Sequence, residues 1–462
     1  MPAPRLTPYP EQLADAGAIA SNPATLLALP MGMGKSLIAV EAAMYMDAER
    51  VFIVAPKNTF RSWEKMVRRQ YQTDQPFFFQ RIDNSALGKS ALADLMNSNK
   101  PGFYIVSWEY LRTRPVGYWN NISVDFVILD EVHRMQNRKG KTWKNVQKIN
   151  APYKLAMSGT PNGNKMMGFW TVLRWLWPTQ TPLSFWRWAH QWLVVTKNPV
   201  LGFTEVKGEQ NPGALLASQP HYIWRPDTQT HLVADIEIEA PLKPAQRKLY
   251  RDLERDMVVF LENNPLTVEI PLHMRMRLRS ITLGVPYITE DGKLSYHTDT
   301  DSTKLDGLLE FMGDLPEGET VLVFTHSRDF ALVTAIRLYE AGYPAYAWVG
   351  GTSQSERDKV VDKWGDTGGV QVIVAVVEAI AEGTDGLQDK CHTEYWLSES
   401  ENPLINNQAR SRLPRDGQKH TVTRARAISP GTYDEKIIAK QVQLQIDLNK
   451  SYAGKTTKEE TP

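Results

Sequence analysis

The chain predicts an α/β fold of two parallel-sheet lobes in tandem, with helical segments inserted between them. Two series of short apolar runs, a break between the series, and a length of 462 residues carry that expectation. At 42% apolar content the chain is too long for one ordinary core and suggests two or three domains.

In the first series, the runs at 25–29, 51–55, 103–106 and 126–129 are dominated by Val, Ile, Leu, Phe and Ala without in-and-out alternation. That is the pattern of strands buried on both faces. Helix-length segments separate the runs, as parallel pairing requires, because the chain must cross back between successive strands. The second series, at 321–324, 345–348, 372–376 and 393–397, alternates with helical stretches at 330–340 and 355–364. From about 165 to 300 the strand rhythm stops and helical patterns take over, for example at 244–263 and 272–282. The expected layout is a first lobe over residues 1–230 with a helical insertion at about 165–200, a helical linker over 231–300, a second lobe over 301–450, and a polar, disordered tail over 451–462.

Composition excludes several classes. The lone Cys391 cannot form an intramolecular disulfide or a cysteine zinc cluster, and it fits a reducing compartment. The nine histidines show no paired metal-ligand spacing. The N-terminus lacks the charged-then-apolar order of a signal peptide, and no apolar run approaches the roughly 18 residues that span a bilayer. We therefore expect no membrane partner, a monomer, and a cytoplasmic location, or a nuclear one in a eukaryote.

Net charge is near +1, but its distribution is uneven. From Val132 through Thr204 there is no Asp or Glu, while Arg134, Arg138, Lys139, Lys141, Lys144 and Lys148 cluster at the start of the block. A polyanion such as DNA suits that cluster, with Arg134, Arg138, Lys139 and Lys141 as candidate phosphate contacts. The same block holds seven tryptophans whose near-helical spacing points to helix core.

Gly32-Met-Gly34-Lys35-Ser36 follows a strand and opens an apolar helix, the context of a phosphate-binding loop. Backbone amides of Met31, Gly32, Met33, Gly34, Lys35 and Ser36 would cradle phosphate, Lys35 would neutralise the β and γ oxygens, and Ser36 would ligate magnesium. Leu29 stands where the first glycine of the usual pattern would be. Asp130-Glu131-Val132-His133 ends another apolar strand. Asp130 is the expected magnesium ligand, Glu131 the group that activates the attacking water, and His133 a coupling residue.

With Ser158-Gly-Thr160-Pro161-Asn162 and Gln408…Arg412…Arg415-Asp-Gly417-Gln418, these segments resemble motifs II, III and VI of superfamily 2 helicases, in forms similar to the Swi/Snf-like branch. Leu6-Thr-Pro-Tyr9…Gln12 is similar to the adenine-reading Q motif, and Ala55-Pro-Lys57-Asn…Trp63 to motif Ia. Lys304-Leu305, Gly350-Gly-Thr352…Arg357 and Gly383-Thr384-Asp385 resemble lobe-two segments, although the last is closer to the general superfamily form than to that of the branch. The resemblance implies two RecA-like lobes, with ATP and Mg2+ as cofactors. It implies Gln12 and Asp385 at the nucleotide, Gln408, Arg412 and Arg415 acting on the transferred phosphate, and His133, Ser158 and Thr160 coupling the nucleotide to motion. It also implies Lys57, Gly350, Thr352 and Thr384 at nucleic acid. Arg412 and Arg415 are expected one helical turn apart, facing the same way.

The function expected from all this is a DNA-stimulated ATPase that translocates on duplex or branched DNA, with single-stranded DNA also open. Replication, recombination or repair is the expected setting, with a nuclease or recombination factor as partner and a compact bacterial or bacteriophage member as source. A strand-unwinding DNA or RNA helicase and a catalytically silent nucleic-acid scaffold are the alternatives. Intact Lys35, Ser36, Asp130, Glu131 and Arg415 argue against the scaffold.

Overall fold

The structure, a computed structural model, describes residues 4–120, 122–149, 151–161, 166–197, 204–225, 232–262, 272–290, 293–381, 386–415 and 417–452. It divides into two compact units, residues 1–228 with 446–462, and residues 229–445.

The strands of the first unit are β1 (Ala24–Ala28), β2 (Arg50–Ala55), β3 (Phe79–Ile82), β4 (Gly102–Ser107), β5 (Phe126–Asp130), β6 (Tyr153–Met157), β7 (Leu193–Lys197), β8 (Thr204–Glu209) and β9 (Tyr222–Trp224). Seven of them form one sheet in the order β3-β4-β2-β5-β6-β1-β9, and every pairing in it is parallel. β1, β2, β4 and β5 are buried along their whole length, as their unbroken apolar runs require. In a parallel sheet all strands end on the same edge, and here β5, β6 and β1 are immediate neighbours. The segments that follow these three strands therefore start side by side.

The second unit holds β10 (Val233–Glu239), β11 (Tyr287–Ile288), β12 (Leu294–Ser295), β13 (Val321–Thr325), β14 (Ala345–Trp348), β15 (Val372–Val376), β16 (Thr393–Trp396) and β17 (Val422–Ile428). Its six-stranded sheet runs β10-β17-β16-β13-β15-β14, again with only parallel pairings. Two parallel sheets, each flanked by helices, are the tandem lobes of the expected fold class.

The expectation of purely helical material from about 165 to 300 is corrected. Helices Phe169–Leu176, Phe185–Trp192, Pro244–Glu262 and Leu272–Leu283 are present, but β7 and β8 form an antiparallel hairpin, and β9 returns to the first sheet beside β1. β10 lies inside the proposed linker yet pairs with β17 over seven residues. Its apolar signal is diluted because Asp235, Glu237 and Glu239 alternate with Ala234, Ile236 and Ile238. The partners of those acids lie far along the chain: Asp235 is in register with Arg424 and Glu237 with Arg426, the latter pair at 2.8 Å. Ser451 and Tyr452 close the helix Tyr433–Tyr452, and the rest of the expected tail falls outside the described residues. Among the described residues no helix is long and apolar enough to cross a membrane.

The second unit carries a buried polar network. Lys304, 1% exposed, donates to the Leu397 carbonyl at 2.8 Å and to Asp434 Oδ2 at 2.6 Å. Beside it, His326 Nδ1 lies 2.7 Å from Ser398 Oγ, and the His326 amide donates to the same hydroxyl at 3.0 Å. Burial first, and then the charges of Arg279 and Lys304, hold the His326 imidazole neutral and far below its ordinary titration range.

A histidine depressed in this way binds its proton in the unfolded chain before it does in the folded one. Its stabilising contribution is complete above the unfolded value near 6.5 and is lost as pH falls from there toward the folded value. The unfolding free energy of the wild type, measured by urea titration, should therefore decline below that pH by up to about 1.4 kcal/mol per pH unit from this group, and His326→Gln should flatten the decline. Identical slopes for the two proteins would remove His326 as the cause.

Candidate functional site

The loop after β1 turns through Pro30 and Met31 into the helix Lys35–Tyr45, whose N-cap Gly34 sits at φ +73°. That left-handed conformation strains any residue with a Cβ. A Cβ on Gly34 would also lie 2.4 Å from Gln12 Nε2 and would push that side-chain end aside. Gln12 stands in the first turn of the helix Pro10–Ala20, accepts from the Tyr9 amide at 2.9 Å, and donates to the Met33 carbonyl at 3.4 Å. Gln12 and the Gly-Lys-Ser loop are thus in direct contact. Ile38 is the first amide to bond back into the helix, to Gly34 O at 3.0 Å, so the amides ahead of it have no acceptor within the helix. Lys35 Nζ donates to the carbonyls of Leu29 and Pro30, each at 2.9 Å, and Ser36 follows as the second helical residue.

A buried clamp that the sequence did not disclose ties down the segment preceding Gln12. The side-chain amide of Gln70 accepts from Leu6 N at 2.8 Å and donates to Leu6 O at 3.1 Å, pairing with that backbone on both sides. Gln70 also donates to Glu41 Oε1 at 2.6 Å, and Glu41, 1% exposed, holds Arg5 at 2.8 Å. The available signal was Glu41, an acid inside the otherwise apolar run that follows Ser36. Gln70 carries no signal of its own.

Asp130 closes β5, and Glu131 follows at φ +52°, a left-handed value that a non-glycine residue adopts only under constraint. Trp63 Nε1 donates to Asp130 Oδ2 at 3.0 Å, and Trp108 Nε1 to the Asp130 carbonyl at 2.8 Å. Trp108 is a second residue the sequence reading missed. Ser158, just past β6, donates through Oγ to Glu131 Oε2 at 3.0 Å and receives the Thr160 amide at 3.1 Å. His133 Nδ1 completes the triangle, 3.3 Å from Glu131 Oε2 and 3.1 Å from Ser158 Oγ. The adjacency of β5 and β6 therefore brings the Asp-Glu and Ser-Gly-Thr segments into one hydrogen-bonded unit.

The two acids titrate as a pair with opposite displacements. Burial, and next the charge of Glu131, push the Asp130 carboxyl far above the usual carboxylate range, and Trp63 and Lys35 offset this only in part. Burial also pulls Glu131 upward. The His133 hydrogen bond and its electrostatic influence, Lys35, and the Ser158 hydroxyl outweigh it and leave Glu131 below that range.

In the second unit the helix Pro403–Arg410 contains Gln408 in its last turn and ends there. Arg412 and Arg415 are not one turn apart on a helix, which corrects the expectation. Pro414 has no amide hydrogen and disfavours a helical Leu413, so the chain leaves the helix after Arg410 and carries both arginines on irregular turns. Gln418 anchors these turns by donating to the carbonyls of Cys391 at 2.8 Å and Gln388 at 3.1 Å. Gly350 and Thr352 lie just past β14, where the Thr352 hydroxyl donates to Val349 O at 2.9 Å. Thr384 and Asp385 lie outside the described residues.

The basic cluster is less uniform than its sequence. Lys139 and Lys141 are exposed, as is Lys57 at the start of the short turn after β2. Arg134 instead pairs with Glu109 at 3.0 Å, an acid supplied by the helix Trp108–Thr113. Arg138 lays its guanidinium 3.9 Å from the centroid of the Phe185 ring. The tryptophans are mostly core, as their spacing suggested, and Trp186 departs from that pattern at 41% exposure.

These elements define a two-sheet α/β protein with a phosphate-loop motif at the end of one strand and an acidic pair at the end of a near neighbour. A family model described as the SNF2-related domain matches residues 18–281, and the chain belongs to that family. It is 23% identical over 441 residues to an ISWI chromatin-remodeling complex ATPase of Arabidopsis thaliana, covering 89% of this chain and 39% of the relative. An uncharacterized ATP-dependent helicase of Mycoplasma pneumoniae is 22% identical over 435 residues, covering 91% and 39%. The chain thus spans about two fifths of the length of these curated relatives. A solved structure of the Sulfolobus solfataricus SWI2/SNF2 ATPase core in complex with dsDNA aligns over 99% of this chain and 97% of that one, at 18% identity and a TM-score of 0.40. At that score the superposition carries no argument, and the fold rests on the chain's own two sheets.

The close approach of Gly34 and Gln12 has a measurable consequence. Gly34→Ala should lower stability by about 1–2 kcal/mol through left-handed strain, and by more through displacement of Gln12. In a Gln12→Ala background the steric part should vanish, so the two substitutions should be non-additive in a denaturation cycle. Strict additivity would mean that the two residues do not touch.

Proposed function

We propose that the chain is an ATP-hydrolysing motor that acts on DNA and moves along duplex or branched substrates. The observation that carries this reading is the Asp130–Glu131 pair beside the Lys35 loop, a buried carboxylate held by Trp63 next to a half-buried one bonded to Ser158 and His133. Membership of the SNF2-related family supports the same assignment, and the names of the relatives, an ATPase and an ATP-dependent helicase, agree with it.

In this reading the amides at the start of Lys35–Tyr45 point to phosphate oxygens, and Lys35 exchanges its bonds to the Leu29 and Pro30 carbonyls for the β and γ phosphates. Gln12, touching the loop, reads the adenine. Glu131, held ionised by Ser158 and His133, orients the attacking water and takes up its proton. Any change in Glu131 reaches Ser158 directly and the Thr160 amide through the Ser158 hydroxyl, which supports their assignment to coupling.

Magnesium fits the donor set. The Ser36 hydroxyl and the Asp130 carboxylate are hard oxygen donors, and the buried Asp130 carboxylate, bonded at Oδ2 by the Trp63 indole, lies next to the charge of Glu131. When bound, the ion would neutralise phosphate charge there. Arg412 and Arg415 remain the proposed source of further positive charge on motif grounds, Lys57, Lys139 and Lys141 the proposed phosphate contacts of the first unit, and Gly350 and Thr352 those of the second. Duplex or branched DNA as the track, and a role in replication, recombination or repair, belong to the same proposal.

Glu131→Gln should keep ATP affinity and lose about 10²- to 10⁴-fold in turnover, whereas Lys35→Ala should weaken nucleotide binding itself. ATP hydrolysis by Glu131→Gln at the wild-type rate would sink the assignment. Arg415→Ala should leave DNA binding intact and abolish the stimulation of hydrolysis by DNA, measured as ATPase rate against duplex concentration. Full stimulation in that variant would remove Arg415 from the reaction.

A further inference from the structure

Tryptophan buries more apolar surface than other side chains, and the tryptophans of this chain follow the rule with one exposed exception. Of its 14 tryptophans, 11 are buried, Trp192 and Trp224 are half-buried, and Trp186 alone is exposed. Leu183, three residues earlier, is 77% exposed.

The Trp186 ring is not a loose surface group. It sits in the first turn of the helix Phe185–Trp192, capped by the Ser184 hydroxyl, which accepts from Arg187 N at 3.3 Å. Phe185 meets it edge-on, with ring centroids 5.0 Å apart. Phe185 is itself packed in the core against Trp170 and Trp188, each 6.0 Å away. The Arg138 guanidinium lies 3.9 Å from the Phe185 centroid and 5.7 Å from that of Trp186, and the His190 ring is 6.4 Å from Trp186. The result is an exposed indole backed by a packed aromatic stack and flanked by a cation, in a stretch of 132–204 that contains no Asp or Glu.

A ligand matched to this surface must offer a flat apolar face together with negative charge. Double-stranded DNA has the charge but keeps its base faces inside the stack, whereas a single strand offers both. We propose that Trp186 and Arg138 form a stacking shelf for an unpaired nucleobase of single-stranded DNA, with Arg138 at the adjoining phosphate. The shelf rests on the reading of the chain as a motor on DNA and refines it, because a shelf of this kind favours substrates that carry a single-stranded arm or gap.

The test uses the full chain and fluorescence anisotropy with labelled oligothymidylate and a blunt duplex in the same buffer. Trp186→Ala should weaken oligothymidylate binding about tenfold and leave duplex binding within about twofold, and Trp186→Phe should keep most of the single-strand affinity. Arg138→Gln should also weaken single-strand binding and lower its salt slope by about 0.7, the share of one phosphate contact. Trp186 is only partly exposed and packs edge-on against Phe185, so unchanged duplex affinity, and not an unchanged unfolding midpoint, is the control that Trp186→Ala leaves the fold intact. Wild-type oligothymidylate affinity in Trp186→Ala, or equal losses on both DNAs, would overturn the shelf while leaving DNA-stimulated hydrolysis and the motor reading intact. A wild-type protein that binds neither DNA, and whose hydrolysis neither DNA stimulates, would overturn the motor reading and the shelf with it.

Discussion

Holding Asp130 and Glu131 side by side at the buried end of β5 is electrostatically unfavourable, and the surrounding structure is organised to offset it. A charge-assisted hydrogen bond contributes about 1.5–3 kcal/mol, whereas an unpaired buried carboxylate costs several. Glu131 receives Ser158 and His133 and stays ionised, while the Asp130 carboxylate has the Trp63 indole and the charge of Lys35 and does not reach the same balance. That asymmetry distinguishes two adjacent acids of nearly equal intrinsic strength. It leaves Glu131 ionised and Asp130 with its carboxyl displaced toward the neutral form.

Strand order makes the arrangement available. With β5, β6 and β1 adjacent and parallel, the Asp-Glu segment, the Ser-Gly-Thr segment and the Gly-Lys-Ser loop all leave the same edge of one sheet. Trp63 reaches Asp130 from the helix Phe60–Tyr71 after β2, and Trp108 reaches it from the helix after β4. On the other side of the loop, Gln70 and Glu41 fix the segment that delivers Gln12. The site is thus held by side chains from elements with their own packing, which gives it a rigid frame. The second unit uses the same kind of device at Lys304 and Asp434, and again where Arg424 pairs with Glu394 inside its sheet. Such buried pairs are strongly destabilising when one partner is removed, which restricts the ways these elements can pack.

What could be read in advance followed from local chemistry. Strands buried on both faces announce themselves as continuous apolar runs, and the Gly-Lys-Ser and Asp-Glu segments sit where such runs end. The edge strand β10 was not legible, because its acids mask its apolar face until Arg424 and Arg426 are placed opposite them. Arg134 read as a free cation because Glu109, which neutralises it, lies outside the acid-free block. Spacing alone puts Arg412 and Arg415 on one helical face, but the helix ends at Arg410 and Pro414 disfavours helix between them.

The sequence by itself determined the two-lobe α/β class, the family, and which residue types are candidates for phosphate, cation and water, since each follows from a short contiguous pattern. Tertiary structure decided which of those candidates touch. It joined Glu131 to Ser158 across neighbouring strands, set Gln12 against Gly34, clamped Leu6 with Gln70, and left Trp186 outside a core that takes in most other tryptophans. The physical reason is that hydrogen bonds and burial depend on distances between groups tens to hundreds of residues apart along the chain. Strand order and helix packing set those distances, and residue type alone does not.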